Sequence, residues 1–186
     1  MAAPVRRYEN NPILTKADVP YEVETVHNAG VVKHQGRYVM LFRSHLRSGR
    51  SIIGLAESDD GLAFRVRDRP FLTPATDGAF AEYEAFGVED PRITCIGDTY
   101  WFTYVAVSRH GPATALASTT DFQTLTRHGV IFPIENKDVV LLPEAIDGEY
   151  VALHRPVGGT PFTQPEMWLA RSSRKSPEPP ESAVVK

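Results

Sequence analysis

The densest chemical signal in the chain is Gly87-Val88-Glu89-Asp90-Pro91-Arg92, two adjacent carboxylates followed by a proline and an arginine. A carboxyl group held at the mouth of a strand suits general acid–base work, because a positioned acid can deliver a proton in a transition state. Pro91 has no N–H and a fixed φ, which predicts a place at the start or edge of a strand, with Asp90 before it extended. Arg92 is expected to pair with one of the two carboxylates. On its own the tetrapeptide reads as a charged turn with a local ion pair; its company along the chain gives it chemical meaning.

Two further polar clusters, His27-Asn28-Ala29-Gly30 and Asn136-Lys137-Asp138, also directly precede apolar runs. A second tier follows at the ends of the next runs: Arg43, Arg109 with His110, and His154 with Arg155, with Arg127 further out. The chain is net acidic at −3, yet these cations gather at corresponding positions. Cations beside a single acid suit an anionic co-substrate such as phosphate, gripped by arginine forks. Tyr83, Phe86, Trp101 and Tyr104 have the ring faces to stack on sugars, with core packing as the alternative for Trp101 and Tyr104. The six histidines show no zinc-type spacing and Cys95 is the lone cysteine, so neither a metal site nor an intrachain disulfide is expected. There is no nucleophile elbow, phosphate-binding P-loop or dinucleotide fingerprint.

The elements that must position these groups repeat. Gly30-Val31-Val32 turns at Gly36 into Tyr38–Arg43 and continues to Ser51–Ser58; Arg92-Ile93-Thr94 turns at Gly97-Asp98 into Tyr100–Val105 and continues to Thr114–Thr119; Val139–Leu142 turns at Asp147-Gly148 into Tyr150–His154 and reaches Met167–Ser172. Tyr38 to Ala56, Tyr100 to Ala117 and Tyr150 to Ala170 are near-equal spacings. Short apolar strands recurring with Gly/Asp turns predict an all-β fold, a β-propeller with about three blades near 23–80, 81–133 and 134–172, with a plain β-sandwich as the alternative. Outer strands are expected at Phe64-Arg65-Val66 and Thr124-Leu125-Thr126, an irregular lead-in over Met1–Pro20, almost no helix, and a disordered tail over 173–186.

In a propeller the loops entering the innermost strands converge on the axis, which would bring the three polar clusters together. Three blades do not close a ring, so the chain reads as the front part of a longer propeller. Open faces, with Val31, Leu41, Leu141 and Leu153 as candidates, predict a chain that is insoluble or a homo-oligomer, and weakly active or inactive.

At 186 residues, 42% hydrophobic and 23% charged, the composition is that of a soluble globular domain. The charge gives no reason to expect nucleic acid or an anionic membrane as partner. No apolar run approaches the length needed to span a bilayer, and no apolar segment follows the basic residues near the start, so the expected location is cytoplasmic.

Taken in order, His27-Asn28-Ala29-Gly30, Leu41-Phe42-Arg43, Gly87–Arg92, Asn136-Lys137-Asp138 and Leu153-His154-Arg155-Pro156 resemble glycoside hydrolase family 130, the β-mannoside phosphorylases. The resemblance covers about Tyr8 to Ser172 and implies a five-bladed β-propeller that cleaves β-1,2- or β-1,4-linked manno-oligosaccharides. It implies that Asp90 is the general acid, acting through the 3-hydroxyl of the mannose. Arg109, Arg127, Lys137 and His154 would bind the attacking phosphate, and Asn28, Arg43, Arg92 and Asp138 would line the sugar subsite. Phosphate would invert the anomeric carbon to give α-mannose 1-phosphate, with no cofactor beyond inorganic phosphate as co-substrate. The runs Tyr104–Ser108 and Leu153–Pro156 are most similar to the branch acting on β-1,2 linkages. A hydrolase of the same linkage and a non-catalytic sugar-binding fragment are the competing readings.

Overall fold

The computed structural model describes residues 5–156 and 166–173; apart from Ser173, the expected tail lies outside them. Strands β1 (His27–His34), β2 (Arg37–His45), β3 (Ser51–Ser58) and the short β4 (Arg65–Val66) form one antiparallel meander. A second follows helix α1 (Gly78–Glu84): β5 (Gly87–Ile96), β6 (Thr99–Ser108), β7 (Gly111–Thr119) and β8 (Thr126–Phe132). A third holds β9 (Asn136–Leu141), β10 (Tyr150–Pro156) and β11 (Trp168–Ser172). The first two touch at one parallel pair, Ser51 with Gly87. The chain is all-β, and its described residues form a partial β-propeller of three blades with no closed ring among them.

The largest core lies between the first two blades. Leu41, Ile53, Leu55 and Leu72 of the first meet Val88, Phe102, Tyr104 and Phe122 of the second, all at most 2% exposed. Each such burial is worth about 1.5–3 kcal/mol, so this seam is the main source of stability. Leu41 is therefore not an open-face residue: the alternation of β2 turns it into the seam. Val31 is exposed, Leu141 and Leu153 are part-buried, and the exposed apolar side chains described in the third blade include Val140, Ile146, Met167, Trp168 and Leu169. On its other face the first blade is covered by the lead-in, whose Ile13, Leu14, Val19 and Tyr21 pack on Met40, Phe42 and Ala56. A smaller cluster, Ile96, Trp101 and Leu116 with Leu141 and Tyr150, joins blades two and three.

The repeat is also visible in the turns. Asp60 accepts the backbone N–H groups of Leu62 and Ala63 and the hydroxyl of Ser58; Asp121 accepts those of Gln123 and Thr124 and the hydroxyl of Thr119. These Asx turns are the local reason that an aspartate follows the third strand in both blades.

Helix α1 is the one α-helix among the described residues, in line with the expectation of almost no helix. Seven residues are too few to hold a helix by propensity alone. Burial of Glu84 at its C-terminal end, 1% exposed, is what ties it down.

Each innermost strand carries the same defect. Register breaks between His27 and Gly30 on β1, between Glu89 and Arg92 on β5, and opposite Leu153–Arg155 on β9. At each break one residue has positive φ: Asn28 at 50°, Asp90 at 50° and Asp138 at 58°. These are β-bulges whose first residue is left-handed, a conformation that Asn and Asp tolerate better than other non-glycine residues. Asp90 is thus not extended, as the following proline suggested: the cross-blade contacts of its side chain outweigh that local preference. Pro91 sits inside the bulge on an innermost strand, where no ladder needs its missing N–H.

Two glycines let the blades approach this closely. A Cβ on Gly30 would lie 2.9 Å from the Pro91 carbonyl oxygen, and one on Gly87 would lie 2.6 Å from the Ser51 nitrogen. Gly30→Ala is expected to lower stability by about 1–3 kcal/mol through overpacking against backbone that cannot yield. Urea unfolding measures it, and an unchanged midpoint would contradict the close approach of β1 to β5.

Candidate active site

The bulges bring Asn28, Asp90 and Asp138 from three different strands toward the axis. Asp90 is 9% exposed. Its Oδ1 accepts Asn28 Nδ2–H at 2.8 Å and Arg43 Nη1–H at 3.1 Å. Burial by itself would raise the Asp90 pKa, but the Asn28 and Arg43 bonds outweigh it and hold the carboxyl below its ordinary range.

Arg43 uses its whole fork. Nε donates to Ser51 Oγ at 3.2 Å, Nη1 to Asp90, and Nη2 to Glu89 Oε1 at 2.5 Å and to His45 Nε2 at 2.8 Å. Ser51 Oγ donates to Glu89 as well, at 2.8 Å. An arginine cannot accept, so His45 Nε2 is the acceptor. Its proton is then on Nδ1, facing Thr25 Oγ1 at 3.1 Å. His27, opposite Arg43 on β1, has its pKa lowered by burial first and by Arg43 second.

Arg92 does not pair with either neighbouring carboxylate. The bulge turns it toward the next blade, where Nη2 lies 3.6 Å from Asp138 Oδ1. Arg155 of β10 holds the other oxygen of Asp138. Of the residues the sequence assigns to a sugar subsite, Asn28 and Arg43 are joined directly to Asp90, and Arg92 and Asp138 are joined to each other.

The four cations assigned to an anion fall into two pairs. Arg109 and Arg127 gather on α1: Arg109 Nη2 lies 3.5 Å from Glu82, and Arg127 Nε donates to Glu84 at 3.3 Å while Nη2 donates to the Thr73 carbonyl at 2.6 Å. Lys137 and His154 lie on β9 and β10 of the third blade. Lys137 makes no ion pair with a described residue. His154 stacks on Phe132, with ring centroids 4.4 Å apart. No hydrogen bond among the described residues joins one pair to the other. Their segments do meet where a Cβ on Gly111, beside Arg109 and His110, would lie 3.1 Å from Ile134 Cγ2, in the stretch leading into β9.

Two contributors were not legible in the sequence as site residues. Glu84 accepts Tyr104 O–H at 2.6 Å and Ala75 N–H at 2.8 Å besides Arg127. Burial, then the Glu84 carboxylate, pushes the Tyr104 pKa far up, so its hydroxyl stays protonated and donates to Glu84. Nothing in the order Tyr83-Glu84-Ala85-Phe86 signals a buried carboxylate. Asn136, 5% exposed, bonds His154 through its amide at 2.9 Å. It is visible in the sequence only as the first residue of a polar triplet. Trp101 and Tyr104 are core residues and offer no face to a ligand. Among the described residues no cluster of His, Cys, Asp and Glu has the arrangement to hold a metal ion, and no helix is long and apolar enough to cross a membrane.

Two outcomes follow from this geometry. Arg43→Met should raise the Asp90 pKa, because burial then acts against the carboxylate without its closest positive charge; a carboxyl-detected NMR titration that shows no rise would sink the assignment. The sign for stability is that of a depressed carboxyl: the wild-type contribution is present above the unfolded pKa and is lost as pH falls through the lower folded value. Glu84→Ala should cost about 2–4 kcal/mol in urea unfolding, since it strands Arg127, the Tyr104 hydroxyl and the Ala75 N–H at once; a loss within error of zero would mean that Glu84 does not anchor α1.

A family model described as beta-1,4-mannooligosaccharide phosphorylase matches residues 4–177. The chain is 35% identical to a beta-1,2-mannobiose phosphorylase of Listeria innocua over 90% of its own length and 62% of that protein's. It is 31% identical to a 1,2-beta-oligomannan phosphorylase of Thermoanaerobacter, again over 90% of this chain and over 56% of the relative. The solved structure of the Listeria innocua enzyme in complex with beta-1,2-mannobiose superposes with a TM-score of 0.80 at 32% identity, covering 90% of this chain and 62% of that one. The chain therefore spans less than two thirds of the length of the curated relatives it matches. With the family match over nearly all of its residues, and with the bulged inner strands that carry its polar clusters, the chain belongs to glycoside hydrolase family 130, the family of the mannoside phosphorylases.

Proposed function

We propose that the protein is a glycoside phosphorylase of β-mannosides, or the part of one that carries the acid and the phosphate-binding cations. Asp90 is its general acid. Asn28 and Arg43 hold the acid at the bulge, Arg92 and Asp138 line the sugar subsite beside it, and Arg109, Arg127, Lys137 and His154 take the phosphate. Protonation of the glycosidic oxygen passes from Asp90 through the sugar's 3-hydroxyl. A phosphate oxygen attacks the anomeric carbon from the opposite face as the C–O bond to the leaving sugar breaks, giving α-mannose 1-phosphate and a shortened oligosaccharide. No cofactor is required, because phosphate is already an anionic nucleophile. The relatives named above act on β-1,2-linked mannosides, which favours that linkage here.

The observation that carries this reading is the distribution of charge at the axis. An inverting hydrolase needs a second carboxylate free to activate water, about 6.5–9.5 Å from the acid. Glu89 is held by Arg43 and Ser51, and Asp138 by Arg92 and Arg155. Lys137 has no carboxylate partner among the described residues and the His154 Nε2 has no bonding partner among them, as groups awaiting an anion would.

Incubation with β-1,2-mannobiose, with and without inorganic phosphate, separates the alternatives. Phosphate-dependent release of mannose 1-phosphate is the expected result. Phosphate-independent release of mannose would establish a hydrolase, and sugar binding without turnover a non-catalytic fragment. Asp90→Asn should lower phosphorolysis about 10²–10⁴-fold, the usual worth of general acid help; near-normal turnover by this variant would remove Asp90 from the role.

A further inference from the structure

His154 is constrained on three sides. One ring face stacks on Phe132 with an interplanar angle of 19°. Trp168 stands at its side, 6.4 Å between centroids. Its Nδ1 lies 2.9 Å from the amide nitrogen of Asn136. Asn136 is itself fixed: its carbonyl oxygen accepts Thr114 Oγ1–H at 3.1 Å, which ties the first residue of β9 to β7 of the neighbouring blade. The pairing of Asn136 with Pro156 and of Lys137 with Arg155 sets the register that places the amide beside the ring.

The direction of this bond decides the chemistry. An amide N–H can only donate, so Nδ1 accepts and the neutral ring must carry its proton on Nε2. The opposite amide orientation would aim Oδ1 at Nδ1 and leave both amide hydrogens in a place where Oδ1 now has no partner at all. A buried donor pair without acceptors costs more than an acceptor with spare lone pairs, so the orientation seen is the favourable one. Burial also lowers the His154 pKa, which keeps the ring neutral near neutral pH. The remaining nitrogen, Nε2, meets no described hydrogen-bond partner.

We propose that Asn136 is a positioning residue that locks His154 in the Nε2–H tautomer, leaving that N–H as a free, oriented donor for a phosphate oxygen. The inference rests on the phosphorylase reading for the identity of the anion, but the tautomer itself does not. With the proton on Nδ1 instead, the ring would point a lone pair at the oxyanion and repel it.

Long-range ¹H–¹⁵N correlation spectra of the full, ¹⁵N-labelled chain read the tautomer directly, with His154 signals assigned by their loss in His154→Gln. Above the ring's pKa the wild type should show Nε2–H. Asn136→Asp presents only acceptors and should turn the ring to Nδ1–H or to imidazolium, whereas a merely structural role for Asn136 would leave the tautomer as it was. Titration with inorganic phosphate should shift the wild-type Nε2 signal and bind Asn136→Asp at least tenfold more weakly when its ring is Nδ1–H. A wild-type ring protonated on Nδ1, or an Asn136→Asp ring still in the wild-type form, overturns the proposal; the first measurement needs no variant to fold. A tautomer that reverses as expected while phosphate moves no signal upholds the lock and refutes the phosphorylase reading.

Discussion

One guanidinium holds the site together. Arg43 stands on the second strand of the first blade, and three of its four partners, Ser51, Glu89 and Asp90, lie on the next strand or on the next blade. A planar fork with rigid donor directions suits this, because each bond fixes the orientation needed by the others. The same group helps set the charge of Asp90: burial pushes its carboxyl up, and the bonds from Asn28 and Arg43 together outweigh that and hold it below its ordinary range. Both the geometry and the proton affinity of Asp90 thus depend on Arg43, acting with Asn28.

That arrangement needs blades packed tightly enough for an arginine of one to reach a carboxylate of another. The seam of Leu41, Ile53, Leu55, Phe102 and Tyr104 supplies the attraction, and glycines at 30 and 87 supply the clearance. The bulges then do what regular strands cannot. In a regular strand, residues 89 to 92 would alternate between faces; the left-handed residue breaks the alternation and throws Asn28, Asp90 and Asp138 out along the axis.

Charge around Asp90 is partitioned by carboxylates that are each paired with an arginine. Glu89 and Asp138 neutralise arginines near the acid, while Glu82 and Glu84 on α1 collect Arg109 and Arg127. Glu84 is buried and triply bonded, so it acts as fixed structure, whereas Glu82 is exposed and its contacts to Arg109 and His110 are of the kind that solvent and ligands exchange. On the third blade Lys137 has no ion pair among the described residues, and His154 has one ring nitrogen held by the Asn136 amide.

The sequence alone determined the repeat and the positions of interest. Strand alternation, Gly/Asp turns and near-equal spacings are local properties, and they were enough to expect three blades and to place polar clusters before each inner strand. The identity of Asn28, Asp90 and Asp138 as residues that tolerate positive φ was also present there, although without its meaning. Only the tertiary structure decided who pairs with whom. Arg92 was expected to serve its neighbours and reaches Asp138 instead; Asp90 was expected to be extended after the rule for residues before proline and is left-handed. Leu41 was expected on an open face and is in the central seam. Glu84 carried no sequence signal of burial and is the buried anchor of α1. In each case the deciding contact joins residues far apart in sequence, and its free energy exceeds the few tenths to one kcal/mol that local preferences contribute. A bulge adds a further reason: it reverses the face that every following side chain presents, so a reading by alternation goes wrong from the bulge onward, at the very residues that form the site.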